Sequence, residues 1–184
     1  MSLRLFLCGD VMTGRGIDQV LPVPCKPQLF EHWARSAVDY VELAERASGP
    51  IGRGQDAAYP WGHGLEVLRE QRPAARMINL ETAVTTSEDA QPGKGIHYRM
   101  NPANVACLTS AGIDCCVLAN NHVLDWGRAG LEETLATLER IYSAAFALAS
   151  WMLPYEWKPD PAARYRIAAA LRTMAIIDEF SKYS

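Results

Sequence analysis

Short apolar runs alternate with amphipathic stretches along this chain, and their ends are polar. Residues 3–8, Leu-Arg-Leu-Phe-Leu-Cys, predict a strand that stops at Gly9-Asp10 and gives way to the turn-rich residues 11–16. Residues 75–78 predict a second strand, ending in Asn79-Leu80-Glu81-Thr82. Residues 113–118 predict a third, ending in Ala119-Asn120-Asn121-His122-Val123-Leu124-Asp125-Trp126-Gly127. Helices fall between them. Residues 36–47 carry Val38, Val41 and Leu43 among charges and stop at Ser48-Gly49-Pro50, and residues 64–70 stop before Pro73. Residues 102–111 open on proline and close on Gly112, and a further helix starts near Arg128. Three prolines within residues 22–27 exclude regular structure there; residues 52–64 and 87–95 also read as irregular. The alternation predicts an α/β fold, a layered and mainly parallel sheet with flanking helices.

Parallel strands deliver their last residues to one edge, the carboxyl edge, where α/β folds place ligands. Asp10, Asn79 with Glu81, and Asn120, Asn121 and His122 are therefore expected in one pocket. Oxygen and imidazole donors suit a borderline or hard divalent metal better than a thiolate-seeking one. Each residue also has a plainer role open to it. Asp10 serves as a turn residue as readily as a ligand, and Glu81 with Asn79 equally well holds a turn by hydrogen bonds. His122 suits either a general acid or a ligand, and Asp125 either orients that imidazole or caps the helix near Arg128. Arg15 matches phosphate or carboxylate with two parallel bonds, and Lys94, His97 and Arg99 add to such a patch unless they are solvated charges. Gly14-Arg15-Gly16 is not a dinucleotide fingerprint, since position 19 is Gln. Trp33, Trp61 and Trp126 read as packing residues.

Composition narrows the classes. With 184 residues, 49% hydrophobic and 21% charged, the chain supports one domain with a core. A net charge of −3 with scattered basic residues disfavours nucleic acid. The N-terminus enters a strand at once, with no leader pattern, which points to the cytoplasm. The longest apolar run, residues 144–153 broken by Ser150, is about half the ~20 residues a membrane span needs. The five cysteines form no C-x-x-C pair and are expected as buried thiols rather than disulfides or a zinc site.

Three ordered motifs then carry a resemblance. Gly9-Asp10-Val11-Met12-x-Gly14-Arg15, Asn79-Leu80-Glu81-x-x-Val84-Thr85 and Ala119-Asn120-Asn121-His122-x-x-Asp125-x-Gly127-x-x-Gly130-Leu131 are similar to the capsule-synthesis, poly-gamma-glutamate-associated family called CapA. That family resembles a branch of the calcineurin-like metallophosphoesterases. The likeness covers residues 3–141, including residues 40–47 and 98–100. It implies a divalent metal (Mn, Fe or Zn) on Asp10, Glu81 and Asn121, and catalytic roles for His122 and Asp125. It further implies an anionic small-molecule or polymer substrate met by Asn79, Asn120, Arg15 and Arg99, and association with a membrane synthesis complex.

Two departures temper those expectations. Met12 stands where the superfamily places a histidine, and no histidine follows His122. Weak or absent metal binding and no appreciable hydrolysis are expected of this chain. The alternative to a metal-dependent hydrolase is a non-catalytic binding or scaffold module that keeps the shape of the site. Residues 1–141 form the family-like portion, and residues 142–184 read as a helical tail outside the resemblance. Ile167, Leu171, Met174, Ile177 and Phe180 give that tail an apolar stripe, which is expected to pack as a cover rather than to continue the sheet. A sheet edge left unpaired would be covered by the tail or by a second copy in a homo-oligomer.

Overall fold

A computed structural model describes residues 4–141 and the backbone of Phe146–Ala147. Its main sheet contains β1 (Leu5–Val11), β2 (Ala75–Leu80), β5 (Cys115–Val117) and β6 (Phe146–Ala147), in the order β1-β2-β5-β6, with every pairing parallel. Two-residue strands β3 (Ala83–Val84) and β4 (Arg99–Met100) pair parallel beside it. The helices are α1 (Arg15–Val20), α2 (Ala37–Ser48), α3 (Gly64–Gln71), α4 (Ala106–Ser110) and α5 (Gly127–Ile141). The α/β reading with a parallel sheet and flanking helices holds. The expectation that the segment beyond residue 141 is helical and does not continue the sheet is corrected at one point, since Phe146–Ala147 is a strand that extends the sheet beside β5. A short apolar run cannot be assigned by periodicity alone, and a β-α-β crossover through α5 needs a strand after the helix. The other residues of that tail, and its apolar stripe, lie outside the described residues.

The core sits on one face of the sheet. Ile78, Leu80 and Cys116 point into it, joined by Leu65 and Leu68 of α3, Cys107 and Leu108 of α4, and Leu131, Leu135 and Leu138 of α5. Strand alternation sends Leu5 and Leu7 to the other face, where they are 48% and 67% exposed. The helix ends follow local chemistry. Ser36 accepts from Val38 N while Asp39 reaches back to Ser36 N, a capping box that starts α2. Gly112 (φ +62°) turns the chain out of α4. Cys107, Cys115 and Cys116 are buried, as expected, while Cys8 and Cys25 are only half-buried. Desolvation pushes the Cys25 and Cys107 thiols up to about 12, so little thiolate forms near neutral pH. Among the described residues no helix is long and apolar enough to cross a membrane.

Candidate functional site

Three parallel strands end at the same edge and bring their polar residues together. Between Cys8 and Val11 the register of β1 slips against β2, and Asp10 takes a left-handed conformation (φ +51°). That conformation is uncommon outside glycine but tolerated by aspartate, and with the slip it marks a bulge, a device that re-aims a side chain. Asp10 Oδ1 thereby accepts from Asn79 Nδ2 at 3.0 Å. The same amide nitrogen donates to Glu81 Oε2 at 3.3 Å, while Asn79 Oδ1 accepts from Asn120 Nδ2 at 2.9 Å. Asn120 also donates to Leu80 O and accepts from His122 N, so its side chain ties β2 to the turn after β5.

His122 is buried at the centre of this network. Its Nδ1 lies 2.7 Å from Asp125 Oδ2, and its Nε2 lies 3.7 Å from Glu81 Oε1. An ionised carboxylate only accepts, so Nδ1 carries a proton and donates it to Asp125, which leaves Nε2 facing Glu81. Asp125 is fully buried and needs the partners it has: Lys94 Nζ on one oxygen, and Tyr98 N at 2.6 Å with His122 on the other. Asp125 makes the contact with the imidazole that orienting the ring, one of the two roles open to it, requires. Glu81 is raised above its ordinary value, first by burial and then by the Asp10 carboxylate beside it; the His122 ring opposes the shift.

The remaining expected residues divide. Asn121 is exposed, and its carbonyl accepts from Lys94. Arg15 does not face open solvent: its Nη2 meets the buried Glu31 carboxylate at 2.5 Å, and its guanidinium lies over the Tyr40 and Tyr98 rings. Arg99 is buried over Trp126 and donates to Ser87 O and Lys26 O. His97 is buried against Phe30 and Trp126, and Trp126 itself packs as expected. Sequence reading missed Tyr98 and Glu31. Tyr98 was visible only as part of a motif, and buried Glu31 gives no pattern in a proline-flanked loop.

The donor set does not assemble a metal centre in this geometry. Among the described residues no three His, Cys, Asp or Glu side chains group closely enough to hold an ion. Asp10 and Glu81 both accept from the Asn79 amide nitrogen.

A parallel α/β sheet with a carboxylate-backed histidine at its carboxyl edge defines the class of domain. The sequence profile described as Bacterial capsule synthesis protein PGA_cap matches residues 4–143, and the chain belongs to that family. Two Mycobacterium tuberculosis proteins, from strains CDC 1551 / Oshkosh and ATCC 25618 / H37Rv, are each described as a probable polyglutamine synthesis accessory protein. Each is 48% identical to the chain over 136 residues, 74% of this chain and 36% of the relative. The match thus spans about a third of those relatives' length.

Proposed function

We propose that the chain carries the acid–base part of a hydrolase-type site that serves capsule or polyglutamate synthesis and acts on an anionic small molecule or polymer. The observation that supports this most is the array Asp125–His122–Glu81, with 2.7 Å on one side of the imidazole and 3.7 Å on the other. Asp125 fixes the tautomer, so Nε2 is the atom that takes a proton from water or, once protonated, returns it to a leaving oxygen. Glu81, whose carboxyl holds its proton above the usual range, is the complementary acid. Asn79 and Asn120 line the same edge, and because their amide protons are spent on Asp10, Glu81, Asn79 Oδ1 and Leu80 O they shape the site around substrate instead of donating to it. Asp10, Glu81 and Asn121 remain the candidate metal positions, but the described donors do not fit a resident Mn, Fe or Zn ion as they stand, and acid–base chemistry carries the reading. A second reading, a non-catalytic binding module, draws support from that same shortage of ligands.

The test is an unselective phosphodiester assay of the purified chain beside one of the longer M. tuberculosis relatives, across Mn, Fe and Zn. The hydrolase reading expects turnover by the longer protein, lost when its residue matching His122 becomes alanine, with background rates from this chain. No turnover by either protein, together with binding of an anionic polymer by both, would establish the binding module instead.

A further inference from the structure

His122 is held in plane by more than Asp125. The Tyr98 ring stacks on the imidazole with centroids 3.9 Å apart and planes 19° from parallel. The Arg15 guanidinium lies 4.7 Å over the same ring, and since one face is taken by His122, the guanidinium has the other. Arg15 is itself 4.9 Å over the Tyr40 ring. The four groups form a continuous pile, Tyr40 on Arg15 on Tyr98 on His122. Its anchor is Glu31, whose side chain is fully buried, pairs with Arg15 Nη2 and accepts from the Tyr40 hydroxyl, which Trp33 Nε1 meets in turn at 2.8 Å.

Such an arrangement is costly to build. A buried carboxylate must be paired, and Arg15 adopts φ +49°, a conformation most residues avoid. A carboxylate hydrogen bond alone leaves an imidazole free to rock about its Cβ–Cγ bond, and a flat ring clamped behind it removes that freedom. We propose that Tyr98 is a positioning residue for His122, held flat by Arg15, Tyr40 and Glu31, and that this pile sets the direction in which Nε2 presents its lone pair. The inference rests on the reading that His122 is the acid–base group of the site. It gives Arg15 the task of holding the pile instead of meeting substrate. The tolerance of the site to a misplaced reacting atom is small, since a shift of about 1 Å can cost about 10²-fold in rate.

The experiment is long-range proton–nitrogen correlation of the histidine rings in the full chain, at about pH 8.5, well above an ordinary imidazole pKa. The His122 resonances are identified by their loss in His122→Ala. The expected wild-type pattern is a protonated Nδ1, an unprotonated Nε2 and ring protons moved upfield by the Tyr98 ring. Tyr98→Phe should retain all three. Tyr98→Leu should abolish the upfield shift and broaden the Nδ1 proton as the ring rocks, with the tautomer still held by Asp125; the backbone at position 98 stays pinned by Asp125 and by Trp126 Nε1 on Tyr98 O. Arg15→Met and Glu31→Gln should move the same resonances partway, and they decide the matter if Tyr98→Leu does not fold. An Nδ1 proton as sharp in Tyr98→Leu as in wild type, or unchanged ring-proton shifts in both remote variants, would overturn the proposal. The readout needs no turnover, so a failure of the hydrolysis assay would count against the function proposed above and not against this placement.

Discussion

Glu81 is the residue whose chemistry is set most directly by its neighbours. Burial and the Asp10 carboxylate raise it, so folding favours its protonated form. A carboxyl raised in the folded state contributes its stability below the unfolded pKa, and that contribution is lost as pH rises through the folded value. Glu81→Gln is therefore expected to be more stable than wild type near neutral pH, with the advantage vanishing below about pH 4.3, the ordinary glutamate range. Urea unfolding of both proteins from pH 3.5 to 8 checks this. Asp18, also raised by burial, is common to both and cancels. A difference that stays constant across the range would mean that Glu81 is not held protonated by its surroundings.

At the scale of elements, the loop from β1 to α1 passes against β4 with almost no clearance. A Cβ placed on Gly14 would lie 2.8 Å from both Arg99 N and Arg99 O and 2.9 Å from Thr82 Oγ1. Two of those atoms are backbone and cannot swing away. Gly14→Ala is expected to cost about 1–3 kcal/mol, the range for overpacking a tight contact, and to loosen Tyr98, the neighbour of Arg99. Equilibrium denaturation measures the loss, and a neutral substitution would show that the loop is free to shift. The strands were legible because they are apolar, short and closed by polar residues, but their ends moved: β1 runs through Gly9 and Asp10 to Val11, β2 runs through Asn79 to Leu80, and β5 keeps only Cys115–Val117 of residues 113–118. Less legible were α1 and the pair β3 and β4. Six residues starting at a left-handed arginine have no cap to read, and two-residue strands carry no period. Val84 is held in place by Thr134 of α5, whose hydroxyl accepts from its amide at 2.9 Å, a contact between residues 50 apart in sequence. The meeting of polar residues at the strand ends was readable for the same reason as the sheet, whereas the stacking of Arg15 and the burial of Arg99 were not. A guanidinium that stacks on aromatic rings looks, in sequence, like one that waits for an anion.

The whole molecule is shaped by the strand order. Each successive strand is added on the same side, and right-handed crossovers moving one way put their helices on one face. That accounts for the core around Ile78 and Leu80, and for the exposure of Leu5 and Leu7 opposite it. Leu7→Lys should change the unfolding free energy by no more than about 0.5 kcal/mol, as exposed substitutions do. Ile78→Ala, 1% exposed, should cost about 2–5 kcal/mol. Equal losses in urea unfolding would mean that the second face is covered in solution. The claim on which the rest depends is that Asp10, Glu81 and His122 meet at the carboxyl edge as an acid–base site and not as a complete metal centre. Metal titration of the purified full chain with Mn and Zn, read by native mass spectrometry, tests it most directly. The account predicts less than one equivalent retained after desalting, with no change in His122→Ala; two tightly held equivalents, lost in His122→Ala, would contradict it.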